Sequence, residues 1–268
     1  MNTGTLSRLD RIGTDGRYVI VPMDHGITLG AVTGLQHIGA TIDAVTRGGA
    51  DAVLTQKGIA PRVHSNKNGA GYVVHLNAST TMGPDANDKR MTGTVKEAVR
   101  VGADAVSFHI NIGSNYEPEQ IEALASITCE ANRFGVPVLA MTYARGVNLK
   151  GDGPGHEPEY LGHAVRLGEE IGADVVKTSY TGDADSFKHV VESTRLPVVI
   201  AGGSRGTDEE TLDMVRGAMD AGAAGVSMGR SIFQHDDPAA ITRAVSAVVH
   251  DGASPSEAVN AGELEGEA

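Results

Sequence analysis

The chain has 268 residues, 40% of them hydrophobic and 21% charged, and its formal net charge at pH 7 is −12. This length and composition allow one sizeable hydrophobic core. The acidic balance excludes a general nucleic-acid binder, which needs a basic surface to neutralise phosphates. The amino terminus has no apolar signal core and no apolar run is long enough to cross a bilayer, so we expect a soluble cytoplasmic protein with no membrane partner. The 34 acidic residues beside seven lysines favour a salt-adapted protein.

Apolar runs rich in valine and isoleucine recur along the chain. In order they are "YVIVPMD" (18–24), "GADAVLTQ" from Gly49, "YVVHLN" (72–77), "GADAVSFHI" from Gly102, "PVLAMTY" (137–143), "GADVVKTSY" from Gly172, "PVVIAGG" (197–203) and "GAAGVSMGR" from Gly222. Amphipathic stretches fill the gaps, and glycine closes several of them. Eight buried strands alternating with helices predict a single-domain α/β fold, a (β/α)8 or TIM barrel over residues 1–255, rather than an open doubly wound sheet. The acidic segment 256–268 is predicted to be a disordered tail.

Polar residues collect where these strands end, and in this fold the carboxyl ends of the strands carry the active site. The strand ends carry, in chain order, Asp24 and His25, Lys57, Asn77, His109 and Asn111, Tyr143 and Arg145, Lys177, Gly202 and Gly203, and Gly229 and Arg230. A mixed set of charges at this edge indicates a reaction site.

Lys177 interrupts the apolar run of the sixth strand. A buried ammonium is unfavourable unless it is paired or loses its proton. A free amine in a barrel mouth can attack a ketone and form a Schiff base, which acts as an electron sink for C–C cleavage or formation. The alternative is a structural lysine paired with Asp24 or Asp174, and position alone does not separate the two. Lys57 also ends a strand, but it lies in a glycine-bounded segment typical of an anion-binding lysine.

Glycine-rich turns, "AGGSRGTDEE" and "VSMGRSIF", close the seventh and eighth strands. Glycines let backbone N–H groups approach an anion, and this place is a recurrent phosphate site in barrels. Arg230 can add a charge-assisted hydrogen bond. The alternative is a pair of tight turns with no ligand.

Acid–base candidates surround the lysine in this prediction. Tyr143 lies at the end of the fifth strand, beside the strand that carries Lys177, and its phenol can donate and recover protons. The alternative is a capping aromatic at the barrel rim. Asp24 can orient the lysine or remove a substrate proton, and His25 either lines the pocket or is packed. His75 and His109 lie in no recognised metal motif, and a single cysteine excludes thiolate clusters, so we expect no metal.

The motifs "VPMDHGITLG", "TYARG", "VVKTSYTGD", "AGGSRGTDEE" and "GRSIFQHDD" together resemble the archaeal-type class I aldolase family, over roughly Leu6 to His250. The resemblance implies a Schiff base on Lys177, Tyr143 as proton donor, Asp24 as proton acceptor and no cofactor. The substrate contacts that it implies are Asp24, His25, Gly26, Ile27, Thr28, Tyr143, Ala144, Arg145, Lys177, Gly202, Gly203, Gly229 and Arg230.

Within the family the sequence is most similar to the branch that makes 2-amino-3,7-dideoxy-D-threo-hept-6-ulosonate. That similarity implies two substrates, 6-deoxy-5-ketofructose 1-phosphate and L-aspartate semialdehyde, and a place in aromatic amino acid (dehydroquinate) biosynthesis. Fructose-1,6-bisphosphate aldolase is the alternative, but that branch usually carries Trp at Met141 and Arg at Lys57. Ala144 replaces a proline common to both branches. A flavin-binding oxidoreductase barrel is a weaker alternative, and a homo-oligomer is expected because such barrels often form rings.

Overall fold

The predicted strands pair side by side and close into a parallel barrel. The computed structural model describes residues 2–151, 154–203 and 205–264. In chain order the strands are β1 (Tyr18–Pro22), β2 (Ala52–Gln56), β3 (Gly71–His75), β4 (Asn77–Ala78), β5 (Arg90–Met91), β6 (Ala105–Ile112), β7 (Val138–Ala144), β8 (Val175–Thr178), β9 (Val198–Ile200) and β10 (Gly225–Ser227). Strands β4 and β5 form a separate antiparallel hairpin, and the other eight close in the order β1-β10-β9-β8-β7-β6-β3-β2. The predicted (β/α)8 barrel is confirmed.

Helices surround the barrel. They are α1 (Thr3–Ile12), α2 (His25–Leu29), α3 (Ile38–Arg47), α4 (Ala60–Asn66), α5 (Val95–Arg100), α6 (Glu117–Phe134), α7 (Pro158–Ile171), α8 (Ala184–Glu192), α9 (Asp208–Asp220), α10 (Arg230–Phe233), α11 (Pro238–Ser246) and α12 (Pro255–Gly262). Short 3-10 turns cover Lys57–Ile59 and Pro154–His156, and a π-helical turn covers Ala247–Asp251. Within the described ranges, no helix is both long and apolar enough to span a bilayer.

The aspartates of the recurring "GAD" phrase tie each strand to its predecessor in the chain. Each carboxylate accepts a hydrogen bond from a backbone N–H of the adjacent strand. The pairs are Asp51 with Val19 at 2.7 Å, Asp104 with Tyr72 at 3.0 Å and Asp174 with Val138 at 2.9 Å. Because every buried backbone N–H needs a partner, these contacts fix the register at the amino-terminal end of the barrel.

The amino-terminal end of the barrel is closed by α1, which the repeat pattern does not predict. Ile12 is buried against the side chains that fill the barrel interior, and the Arg11 guanidinium lies 3.1 Å from the Asp104 carboxylate. A second, larger apolar cluster fills the space between the strands and the outer helices. The closed end leaves the carboxyl ends of the strands as the open face.

The carboxyl-terminal segment differs from the predicted disorder. Helix α12 begins at a capping box in which Ser254 and Glu257 bond each other's backbone N–H groups, and Ala258 is fully buried. An apolar face and a satisfied first turn order this acidic segment, which composition alone does not reveal. The last part of the predicted tail, residues 265–268, lies outside the described residues, and the domain boundary stays a prediction.

Candidate active site

A cavity of about 300 Å³ opens at the carboxyl ends of the barrel strands. All but two of the predicted substrate contacts line it: Asp24, His25, Ile27, Thr28, Tyr143, Arg145, Lys177, Gly202, Gly203, Gly229 and Arg230. The exceptions are Gly26, which lies within α2, and Ala144, whose side chain is buried at the end of β7. Strand closure therefore brings these residues from five separate chain segments to one place.

Lys177 enters this cavity from β8, where its backbone is in register with Met141 of β7. Its side chain is buried, with 6% of the residue exposed. Among the described residues, no carboxylate lies within ion-pair distance of its Nζ. Asp174, one of the two predicted structural partners, instead accepts a hydrogen bond from the Val138 N–H. Pairing with Asp174 is therefore wrong.

Asp24 lies between two imidazoles. Its Oδ1 is 3.6 Å from His25 Nδ1 and its Oδ2 is 3.6 Å from His75 Nε2. Burial acts to raise the pKa of Asp24, but His75, His25 and Lys177 outweigh it and the net pKa is lowered. Burial also lowers the pKa of both histidines. At neutral pH the site therefore holds a carboxylate beside neutral imidazoles, which suits a proton acceptor.

His75 extends this arrangement into the barrel interior. Its Nδ1 lies 2.7 Å from the Ser107 hydroxyl on the adjacent strand. When Nδ1 accepts a hydrogen bond from the Ser107 hydroxyl, the ring proton is on Nε2 and its N–H faces Asp24. Ser107 and His75 can therefore orient the carboxylate. His109 is half-buried, its Nε2 lies 2.7 Å from Asn111 Oδ1, and desolvation with the charges of Lys89 and Arg145 holds its pKa well below the usual range.

No group of three His, Cys, Asp or Glu side chains in the described ranges is arranged to hold a metal ion. His75 and His109 each bond a neutral side chain instead, Ser107 and Asn111 respectively. The expected absence of a metal stays a prediction.

Tyr143 stands beside Lys177 at the end of β7. Its buried ring contacts a cation and an aromatic ring. The Arg145 Cζ lies 4.3 Å from the Tyr143 ring centroid, and the centroids of the His109 and Tyr143 rings are 4.9 Å apart. A cation over the ring face fixes its plane. The hydroxyl forms no hydrogen bond with a described residue and is therefore available to a ligand in the cavity.

The turns after β9 and β10 form the other side of the cavity. Gly203 has φ +65°, a left-handed conformation that favours glycine. A Cβ at Gly229 would lie 2.6 Å from His25 Cε1 and 2.8 Å from the Pro22 carbonyl oxygen. Beside these glycines, the Nε of Arg230 is buried without a hydrogen-bond partner in the described structure. An unpaired buried guanidinium nitrogen next to close backbone is suited to bind an anion.

Lys57 lies outside the cavity lining. Its Nζ is 2.6 Å from Glu97 Oε1, so it is an ion-paired lysine and not a nucleophile in this site. Lys89 is the lysine that sequence reasoning missed; it lines the cavity from the segment between β4 and β5. The signal was a long Gly-, Asp- and Asn-rich connection after β3, since loops of that length are often functional.

Comparisons with known proteins agree with this geometry. The family model of the DeoC/LacD family aldolases matches residues 18–235. A protein of Halobacterium salinarum named 2-amino-3,7-dideoxy-D-threo-hept-6-ulosonate synthase is 62% identical over 258 residues, covering 96% of both chains. A fructose-bisphosphate aldolase class 1 of the same organism is 35% identical, covering 92% of this chain and 96% of its own.

A solved structure has the same fold. It is an archaeal fructose-1,6-bisphosphate aldolase with its catalytic lysine covalently bound to the carbinolamine intermediate of the substrate. It superposes with a TM-score of 0.83 at 30% identity, covering 91% of this chain and 99% of that one. The resemblance to class I aldolases predicted from the sequence is confirmed, and the chain belongs to the DeoC/LacD family of aldolases.

Proposed function

We propose that this enzyme joins a hydroxyacetone unit from 6-deoxy-5-ketofructose 1-phosphate to L-aspartate semialdehyde, giving 2-amino-3,7-dideoxy-D-threo-hept-6-ulosonate. The observation that carries the proposal is the buried amine of Lys177, which has no ion-pair partner among the described residues and shares its cavity with the Asp24 carboxylate. The 62% identical relative with that synthase name supports the choice of substrates.

The first half of the reaction breaks a C–C bond. Lys177 attacks the substrate ketone next to the methyl group, water leaves, and a protonated imine forms. Asp24 removes the proton of the hydroxyl that is β to the imine carbon, because its lowered pKa keeps it ionised. The bond between the α and β carbons breaks, a three-carbon phosphorylated aldehyde departs, and the bond's electron pair remains as the hydroxyacetone enamine.

The second half makes a C–C bond. The enamine carbon attacks the aldehyde carbon of L-aspartate semialdehyde, and Tyr143 donates a proton to the oxygen that becomes a hydroxyl. The proton that Asp24 took up in the first half then passes to the phenolate, so that both groups return to their starting states. Water then hydrolyses the new imine, which frees the seven-carbon amino keto acid and restores the Lys177 amine. Gly202, Gly203 and Arg230 hold the phosphate of the donor sugar in this proposal, as the buried, unpartnered Arg230 Nε supports.

Fructose-1,6-bisphosphate cleavage is the alternative. One of the two sequence differences between the branches lies in the cavity: Met141, where bisphosphate aldolases usually carry Trp, lines it beside Lys177. The other difference, at Lys57, lies outside the cavity lining. A flexible thioether leaves more room there than an indole, and this favours the transfer reaction. The family model that matches this chain describes aldolases, so it gives no support to the flavin-dependent alternative.

Side-by-side assays test the proposal. The purified enzyme is given 6-deoxy-5-ketofructose 1-phosphate with L-aspartate semialdehyde, or fructose 1,6-bisphosphate alone, and products are identified by mass spectrometry. We expect the heptulosonate from the first mixture at a kcat/KM that exceeds bisphosphate cleavage. Borohydride added with the keto sugar phosphate is expected to leave a reduced adduct on Lys177. Faster bisphosphate cleavage, or an adduct on another lysine, would contradict the proposal.

A further inference from the structure

The cavity carries more positive charge than one phosphate site requires. Four basic side chains line it, while Asp24 is the one carboxylate among its described lining residues; they are Lys89, Arg145, Lys177 and Arg230. The whole chain has a net charge of −12, so the excess of basic side chains in the cavity is opposite in sign to the charge of the chain as a whole. Like charges in a partly buried space are unfavourable unless anionic ligands offset them.

Lys89 is held in the cavity without a carboxylate partner among the described residues. Its Nζ donates a hydrogen bond to the Ser79 hydroxyl at 2.8 Å. The nearest acidic residues in sequence are engaged elsewhere: Asp85 accepts from the backbone N–H of Asn87, and Asp88 pairs with Arg90. Burial, followed by the charge of Arg145, lowers the pKa of the Lys89 ammonium.

The strand order places Lys89 away from the glycine turns. Lys89 lies in the connection between β3 and β6, whereas Arg230 follows β10, which is across the closed barrel from β6. Arg145 follows β7, the neighbour of β6, so Lys89 and Arg145 stand on one side of the mouth. Lys177, on β8, lies between this side and the glycine turns. A donor phosphate at Arg230 therefore leaves these two cations free for a second anion.

We propose that Lys89, together with Arg145, binds the carboxylate of the acceptor aldehyde and so selects L-aspartate semialdehyde over uncharged aldehydes. This inference rests on the proposed function, because that function supplies an acceptor with a carboxylate. The acceptor enters only after the phosphorylated fragment leaves, and a subsite of its own lets the enzyme distinguish the acceptor's carboxylate from the donor's phosphate. A lysine ammonium with one neutral hydrogen-bond partner retains two N–H donors for such a carboxylate.

The test compares Lys89→Met with the parent enzyme in steady-state assays. The donor is 6-deoxy-5-ketofructose 1-phosphate, and the acceptors are L-aspartate semialdehyde, succinic semialdehyde and butanal. Succinic semialdehyde keeps the carboxylate without the amine, and butanal has neither. Lys96→Met is the matched control, since Lys96 lies on α5 with 73% of its side chain exposed.

We expect Lys89→Met to lower kcat/KM by about ten- to a hundredfold for both semialdehydes and to change it less than about twofold for butanal. The KM for the donor and borohydride trapping of the imine on Lys177 should stay as in the parent, and Lys89→Arg should recover part of the loss. Equal losses with all three acceptors, or a raised donor KM, would overturn the inference while leaving the proposed function intact. A parent enzyme that makes no product with either semialdehyde would overturn the proposed function and this inference with it.

Discussion

The two ends of the barrel treat charged side chains in opposite ways. At the amino-terminal end Asp51, Asp104 and Asp174 each accept a hydrogen bond from the backbone N–H of a neighbouring strand, and Arg11 of α1 pairs with Asp104. At the mouth, Lys177 and Arg230 lie buried or half-buried with no carboxylate in ion-pair distance among the described residues.

The difference separates stability from chemistry within one fold. A buried polar group that is hydrogen-bonded to a neighbouring strand fixes the strand register. A buried polar group without a partner lowers the stability of the fold and is available to bind a ligand. Substitutions at the closed end should therefore change the free energy of unfolding, and substitutions at the mouth should change the rate. The following predictions test that division from the largest effect to the smallest.

Lys177→Met should abolish turnover, with a loss on the order of 10⁴-fold or more, because no other amine in the described cavity lies in the same strand position. The thermal midpoint should hold or rise, since the substitution removes a buried polar group that has no ion-pair partner among the described residues and keeps the side chain's length. Steady-state assays and thermal unfolding measure the two effects. Retained activity would mean that another residue forms the Schiff base, and a lower midpoint would mean that Lys177 stabilises the fold.

Tyr143→Phe should lower kcat by about 10²–10⁴-fold, the usual value of a positioned acid or base. The ring keeps its contacts with Arg145 and His109, so the shape of the pocket is retained. Borohydride trapping at Lys177 should remain, because imine formation precedes the proton transfer assigned to the phenol. An undiminished rate would leave Tyr143 as rim packing and assign the proton transfers to Asp24.

Asp104→Ala should destabilise the fold by about 1–3 kcal/mol, because it leaves the buried Tyr72 N–H unsatisfied and removes the contact with Arg11. Donor KM and kcat should stay within about twofold of the parent below the unfolding transition. Urea unfolding measures the loss, and Asp10→Ala on the exposed face of α1 is the control. A rate defect without a stability defect would break the division between the ends.

The smallest expected effect is a pH dependence at the closed end. His250 Nε2 lies 3.0 Å from Asp51 Oδ2, and that hydrogen bond is the main cause of its raised pKa. A raised folded-state pKa means that the stabilisation is fully present below the unfolded pKa of about 6.5 and is lost as pH rises through the folded pKa.

The His250→Gln variant measures this contribution. The parent should exceed the variant by about 1 kcal/mol or less at pH 5, and the difference should shrink toward pH 8.5. Urea unfolding at both pH values gives the comparison. A difference that grows with pH would mean that the imidazole acts in its neutral form.

Much of the fold follows from the sequence because parallel barrel strands are buried on both faces and read as continuous apolar runs. The eight runs, their order and the position of Lys177 inside one of them are visible in the letters alone. So are the glycine turns after β9 and β10, because close backbone approach and a positive φ at Gly203 require glycine. The family motifs add the pairing of Lys177 with Tyr143 and Asp24.

The partners of each charged residue were decided only by barrel closure. In the sequence Lys57 and Lys89 are both lysines in polar loops. In the folded barrel Lys57 pairs with Glu97, whereas Lys89 lines the cavity. The same holds for His75, which β3 places beside Asp24, a residue 51 positions away in the chain. Sequence periodicity reports which side chains are buried, whereas the distance between two charges depends on long-range strand pairing, and that distance determines whether a buried lysine is a structural ion pair or a group free to react.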